Sequence, residues 1–288
     1  MVKMKHLNKV TYTVTLLIIM IFSSHAYSQY NLILKQQQKS YSTIKAAKIK
    51  SGTQVMFKYT EGKPDTDGQT IMYNEYDSTG KCIHWIRYWP DGAKIEETNQ
   101  YAFDNKGRIA SIISKGMDGN IDTRTENTYD FNGNEAEADK YNAGGSLMTT
   151  WTHKYDKKGR ETEQSITKGT DPLPMRKVYI YDDSKNIIET DFYRQDTLTY
   201  KYVTQYDRKD NPVEENQFSR EGEHTRRILY LYDSAGNQIE SRTSFGNGNL
   251  ISVIKYRYDN FGNPLEETQY NAKEEPESMV KYNYEYFK

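Results

Sequence analysis

Apolar and polar residues alternate along much of this chain with a period of two, the signature of strands rather than helices. Val178 and Ile180 interleave with Tyr179 and Tyr181, and Leu229 and Leu231 with Tyr230 and Tyr232. Such runs predict half-buried strands about eight residues long. Turn chemistry cuts them at regular intervals. An aromatic–acid pair recurs at Tyr76-Asp77, Phe103-Asp104, Tyr129-Asp130, Tyr155-Asp156, Tyr181-Asp182, Tyr206-Asp207, Tyr232-Asp233, Tyr258-Asp259 and, degenerately, Tyr284-Glu285. The steps are 27, 26, 26, 26, 25, 26, 26 and 26 residues, too steady for chance, so the unit is a structural repeat.

Four places after the aromatic stands Gly80, Gly107, Gly133, Gly159, Gly236 or Gly262, followed by Asn or a basic residue. The Asp accepts a backbone N–H two residues on, and the Gly supplies the left-handed conformation that closes a short hairpin. Lys185 and Asp210 stand in the glycine slot of two units, and Asp suits positive φ better than Lys. A second turn is expected about halfway through each unit, at clusters such as Pro90-Asp91-Gly92, Asp118-Gly119-Asn120, Gly169 to Pro174 and Gly246-Asn247-Gly248. Each unit thus reads as one β-hairpin.

The expected fold is all-β, with tandem hairpins forming one long antiparallel meander of roughly seventeen strands. Laid flat at about 4.8 Å per strand it would reach roughly 80 Å, so it is expected to twist or curl, as a solenoid or a partial shell. Past the first turn, Ile83, Ile188, Val213, Ile239 and Leu265 share a slot, and acids follow at Glu189, Glu214, Glu240 and Glu266. With a glycine bulge at the turn, the motif tyrosine and this acid would share a face. A meander has open edges, which makes the last strand, ending at Phe287, a candidate for self-association.

The iterated Tyr-Asp-x-x-Gly-Asn/Arg pattern over roughly residues 70–288 resembles the YD-repeat (RHS) family of bacterial surface and toxin-associated proteins. The resemblance implies a β-repeat array, here an orphan one, without the self-cleavage core or toxin cargo of large members. Short aromatic–glycine repeats of the MORN-like type fit the two-turn unit less well.

The N-terminus changes the picture from any protein to an exported one. Lys3, Lys5 and Lys9 precede the apolar run Val14–Phe22 and the small-x-small triplet Ala26-Tyr27-Ser28, so a signal peptide over 1–28 is expected, cleaved before Gln29. A cap or flexible segment over 29–50 and a repeat domain over 51–288 follow. The expected location is extracytoplasmic: periplasm, cell surface or secreted, with no membrane span left after cleavage. Mean hydropathy of -0.94 argues against a thick apolar core, yet 26 tyrosines are too many for a solvated, unfolded chain. Interspersed charge summing to -1 excludes the basic footprint of a nucleic-acid binder. Cys82 is the lone cysteine, so no internal disulfide forms.

Catalytic and metal motifs are missing from the sequence, and no cofactor is expected. His84, His153 and His224 fall in different slots, and Asp118-x-Asn120-x-Asp122 lacks the glycine and glutamate of a calcium loop. The tyrosine column Tyr179, Tyr181, Tyr206, Tyr230, Tyr232, Tyr256 and Tyr258 is the candidate binding surface. Stacked tyrosines suit sugar rings; the same residues equally serve as cross-strand pairs holding a thin sheet. The expected function is a non-enzymatic binding or structural module for a glycan, a cell-envelope component or another surface protein. A secreted hydrolase or an effector-associated protein is the alternative, and repeat-breaking acids or histidines on the concave face would mark the hydrolase.

Overall fold

The computed structural model describes residues 44–88, 93–169, 171–184 and 186–288, with only the backbone of Asp171 and Pro172. The expected signal peptide, the turn at Pro90-Asp91-Gly92 and the Lys185 slot lie outside these residues.

Nine strands run toward the motif turns: β3 (Gln69–Tyr76), β5 (Lys94–Phe103), β7 (Ile121–Tyr129), β9 (Leu147–Tyr155), β11 (Asp171–Tyr181), β13 (Thr197–Tyr206), β15 (His224–Tyr232), β17 (Leu250–Tyr258) and β19 (Pro276–Tyr286). The returning strands are β4 (Cys82–Tyr88), β6 (Ile109–Lys115), β8 (Glu135–Asn142), β10 (Glu161–Lys168), β12 (Ile187–Arg194), β14 (Pro212–Ser219), β16 (Gln238–Phe245) and β18 (Pro264–Tyr270). The chain opens with β1 (Ile49–Thr60), against which the two-residue β2 (Lys63–Pro64) folds back. Pro212, Pro264 and Pro276 each begin a strand, where no ladder N–H is missed. Pro174, expected in a turn, lies inside β11, and its carbonyl accepts the Gln195 N–H.

The open meander is corrected by β1. It bonds to β3 on one side and β19 on the other, with Gly52 facing both Asn74 and Tyr284. With β2 set aside, the remaining strands close into an 18-strand antiparallel barrel. Gly52 sits tightly there: a Cβ would come within 3.4 Å of the Tyr284 ring. Closure follows from a steady slip in register. Lys255 faces Thr268, and Thr268 faces Met279, two residues short of the repeat equivalent Lys281. A slip of that kind tilts the strands and lets a sheet meet itself. The edge expected at the C-terminus is therefore occupied by β1.

Alternate residues face the lumen. Tyr179, Phe192, Tyr202, Ile228 and Tyr230 are 4–6% exposed, whereas Ile180 and Leu231 on the other face are 42% and 52% exposed. Strand twist agrees, since the observed slip gives the usual right-handed tilt only with the tyrosine face concave. On the outer face, Val253, Thr268 and Met279 are nonetheless buried. Barrels of eight strands fill their own interiors, but eighteen strands leave a lumen.

The motif tyrosines and the downstream acids lie on opposite faces, against expectation. Tyr258 faces Pro264 while Arg257 faces Glu266, so Leu265 is an extra residue that turns the acid outward. The shared aliphatic slot falls on this bulge, which is why Ile239 and Leu265 are exposed at 39% and 36%.

Candidate functional site

The lumenal wall is built in rows, because side chains two residues apart on a strand share a face. The row at the motif turns belongs to the fold. Each turn Asp holds its own loop: Asp259 Oδ1 accepts the N–H of Phe261 and of Asn263, both at 2.8 Å, and Oδ2 accepts the Asn263 side chain at 2.7 Å. Asp104 and Asp156 take the Arg108 and Arg160 guanidinium groups instead, each at 2.7 Å. Those arginines lie over the tyrosine ring of the next unit, at 4.0 Å for Tyr129 and 4.6 Å for Tyr181. The hydroxyls of Tyr129, Tyr155, Tyr181, Tyr206, Tyr258 and Tyr284 donate to the carbonyls of Ile109, Glu135, Glu161, Ile187, Gln238 and Pro264. Each bond staples one hairpin to the preceding one where the ladder between them ends. Where Phe103 lacks a hydroxyl, Tyr101 reaches the Cys82 carbonyl at 2.7 Å.

Of the predicted tyrosine column, Tyr181, Tyr206 and Tyr258 are thus staples. Tyr232 shares their slot, but its buried hydroxyl has no partner among the described residues. Tyr179, Tyr230 and Tyr256 form the next row inward, continued by Tyr282. Burial pushes the Tyr181 hydroxyl up to about 12 and that of Tyr256 higher still. Beside Tyr256 lies Glu267, whose carboxyl is raised by burial and accepts the Tyr282 hydroxyl at 3.4 Å. The column is two rows with different duties.

A second group was not foreseen. His153, on β9, has its Nδ1 2.6 Å from Glu161 Oε1 and its Nε2 3.6 Å from Glu135 Oε1. All three face the lumen, since Glu135 and Glu161 pair with the inward Tyr129 and Tyr155. Burial raises the Glu135 carboxyl. Two strands on, Lys177 is 6% exposed and its amine is pushed down to about 8 by burial. Aligned repeats carry the missed signal. Glu135 and Glu161 occupy a slot filled elsewhere by Cys82, Ile109, Ile187, Pro212, Gln238 and Pro264. His153 takes the slot of Asn74, Tyr101, Asn127, Tyr179, Thr204, Tyr230, Tyr256 and Tyr282.

The outer wall is ionic. Glu163 meets Lys154 and Arg176, Glu189 meets Lys201, Glu214 meets Arg227, Glu240 meets Arg242 and Lys255, and Glu266 meets Arg257. The periodic acids are therefore partners in outward ion pairs. His84 also faces outward, between Glu75 at 3.6 Å and Glu96 at 3.1 Å, with the Lys94 ammonium 3.0 Å from Glu96. Asp118 accepts the N–H and side chain of Asn120, which is turn chemistry. The Cys82 thiol, half-buried, is pushed up by desolvation.

A family model described only as an uncharacterised protein matches residues 173–278. No curated protein matches the chain. Among solved structures, a porin-like protein from Bacteroides uniformis is similar at 11% identity and a TM-score of 0.45, over 83% of this chain and 97% of that one. A porin-like protein from Bacteroides vulgatus gives 11% and 0.36, over 83% and 99%. A chain of the Photorhabdus luminescens Tc holotoxin pore gives 10% and 0.32, over 75% of this chain but only 17% of its own length. The expected kinship with YD-repeat arrays is corrected accordingly. The matched family is an uncharacterised one, not a YD-repeat family. Closure through β1, which carries no repeat motif, breaks the array picture as well.

Proposed function

We propose that this chain is an exported, non-enzymatic β-barrel that works in an aqueous extracytoplasmic compartment and binds its ligand along the lumenal row of Tyr179, Tyr230, Tyr256 and Tyr282. One observation carries the first half: the outer wall is paved with ion pairs at mid-strand height. A membrane barrel needs an outward apolar band about 25 Å tall, and each Lys or Arg at its midplane costs about 2–4 kcal/mol. Several such residues favour water over a bilayer as this wall's solvent. The barrel is read as water-borne.

The binding half rests on the aromatic row with its amides and acids, a surface suited to the C–H faces and hydroxyls of sugars. Gln269, Ser241 and Glu267 share that wall with Tyr256 and Tyr282. The test has two arms. The exported protein should stay monodisperse without detergent and should not float with phospholipid vesicles; flotation would overturn the aqueous reading. A glycan and cell-wall polymer screen should then yield a ligand whose binding falls at least tenfold in Tyr256→Ala with the far-ultraviolet spectrum unchanged. Binding that survives the substitution would remove the row from the site.

A further inference from the structure

The two faces of the barrel wall handle charge differently. Outside, acids and bases meet as ion pairs, such as Glu163 with Lys154 and Arg176, and Glu214 with Arg227. Inside, the signs are separated by depth. The two lumenal positions nearest the motif turns include Glu135, Glu161, Glu215 and Glu267 but, on the described strands, no lysine or arginine. Deeper positions on β8 to β15 reverse this. Lys140, Lys168, Lys177, Arg194 and Arg226 face inward there, with no acid among the described side chains of that arc. Lys177 lies beside Glu161 and marks the boundary, so the basic arc proper is the other four. Lys168 and Arg194 are exposed, and Lys140 and Arg226 are half-buried. Glu97, an acid at similar depth, sits on β5, outside the arc.

Rings stand among these cations. Phe192 and Tyr200 stack at 4.5 Å with 23° between their planes, and Tyr202 meets both edge-on at 5.7 Å. Phe192 and Tyr202 are 6% and 4% exposed and back Tyr200, which is half-buried. Arg194 follows Phe192 by two residues on the same face, and Arg226 shares a row with Tyr202 through Gln217. Lys140 and Lys168 flank Thr149 on either side, roughly 10 Å apart at two strand spacings, with Trp151 next along β9. The hairpin does not ask for these charges: the slot of Lys140 holds Ser114, Ile166, Gln217, Thr243 and Gln269 in other units. Like charges gathered on one wall repel until an opposite charge joins them. We infer, building on the glycan reading above, that this arc binds an acidic polysaccharide. Its carboxylate or sulfate groups meet Lys140, Lys168, Arg194 and Arg226, and its sugar faces lie on Trp151 and Tyr200. The glutamates nearer the motif turns repel such a chain, so its charged residues lie toward the far turns.

Affinity electrophoresis of the full exported chain in native gels containing polygalacturonate, dextran sulfate, polyphosphate or neutral dextran tests it. Polygalacturonate or dextran sulfate should bind at least about tenfold more tightly than dextran or polyphosphate, and the stronger of the two identifies carboxylate or sulfate. Lys140→Gln with Lys168→Gln, and separately Arg194→Gln with Arg226→Gln, should each weaken that binding at least about tenfold with the far-ultraviolet spectrum unchanged. Lys154→Gln with Arg257→Gln makes the same charge change on the outer wall and should leave it unaltered. Retention by neither acidic polysaccharide, equal retention by polyphosphate, or equal losses from the outer and lumenal pairs would each overturn the proposal. Dextran held as tightly as the acidic polymers, and undiminished by the lumenal variants, would overturn it while leaving the glycan reading in place. Acidic-polymer binding lost in the lumenal variants but indifferent to Tyr256→Ala would keep the arc and remove the tyrosine row.

Discussion

The barrel's two rims are built on nearly the same backbone and held by different chemistry. At the motif rim, Asp259 N–H donates to the Asn263 carbonyl and Gly262 N–H to the Asp259 carbonyl. At the far rim, the same pair of bonds links Asn271 with Glu275 and Glu274, and Ser219 with Glu223 and Gly222. Turn geometry is therefore common to both. The motif rim adds a collar: a carboxylate inside each loop, tyrosine staples between hairpins, and contacts from turn to turn such as Asn186 Nδ2 to Asp210 Oδ1 at 2.8 Å. Far-rim loops begin variously with Gly116, Asn142, Ser219, Phe245 and Asn271, and expose Met117, Ile121, Leu147 and Phe245. The repeat conserves the collar because the collar sets the register of one hairpin on the next.

The sharpest way to break that comparison is to remove the first turn residue on each rim. Asp259→Ala leaves Asn263, 2% exposed, without acceptors for its N–H and its amide, a loss of about 2–4 kcal/mol from desolvated donors. Asn271→Ala removes acceptors from the N–H groups of Lys273 and Glu275, both at exposed positions where water takes over, and should cost about 1 kcal/mol or less. Urea unfolding of the two variants decides it, and equal losses would deny the collar its role.

Acidity divides the molecule in a related way. The collar carboxyls of Asp104 and Asp156 lie below the usual range, chiefly through the backbone N–H of Arg108 and of Arg160. Those of Asp130, Asp207 and Asp233 lie below it chiefly through the Asn134, Asn211 and Asn237 side chains. A depressed folded value means stability that is whole above the ordinary carboxylate range near 4 and is lost as pH falls through the lowered values. Glu267 on the inner wall is raised by burial and has the opposite sign: its folded form keeps the proton to higher pH than the unfolded one, so stability declines as pH rises from the ordinary value through the raised one. Melting temperature followed from pH 3 to pH 8 should show Asp233→Asn flattening the acid limb and Glu267→Gln flattening the limb above the ordinary carboxylate range. A flattening on the wrong limb in either variant would contradict the assigned shifts.

Tyrosine hydroxyls sharpen the comparison within the collar itself. Tyr258→Phe breaks a 2.8 Å bond to the Gln238 carbonyl and should cost about 1 kcal/mol. Tyr232→Phe removes a buried hydroxyl with no partner among the described residues and should be neutral or slightly stabilising. Chemical denaturation of the pair tests whether the staple bond, rather than the ring, is what this slot contributes.

The collar was the legible part of this protein. Aromatic–Asp turns are local, so eight of them at steps of 25–27 residues declare hairpins without tertiary knowledge. Closure was not legible, because the strand that joins the ends, β1, lacks the motif and pairs with residues 234 positions away, such as Ser51 with Glu285. Nor were the faces: a single extra residue opposite each motif tyrosine inverts the alternation, and nothing at Leu265 announces a bulge. The lumenal His153 group lay between these extremes. Each member looked like an isolated polar strand residue until the units were aligned, and only the pairing of β8, β9 and β10 brought the three together.

The smallest expected effects give the most direct contrast between rims, because one substitution type can be made at both. Asp210 and Glu274 each hold φ near +60° in a glycine slot, Asp210 on the collar and Glu274 on the far rim. Glycine relieves about 1–2 kcal/mol of left-handed strain and gives back part of that through a more flexible unfolded chain. At Glu274 the lost partner is Arg242, an exposed pair at 3.0 Å whose worth is about 0–1 kcal/mol, so Glu274→Gly should sit within about 0.5 kcal/mol of the parent. At Asp210 the lost partner is the amide of Asn186, which is 4% exposed and keeps only a long 3.4 Å bond to Asp182. The orphaned amide outweighs the relieved strain, and Asp210→Gly should lose roughly 0.5–1 kcal/mol. If urea midpoints instead show Asp210→Gly gaining stability, the link between successive collar turns is decorative, and the rims differ only in sequence.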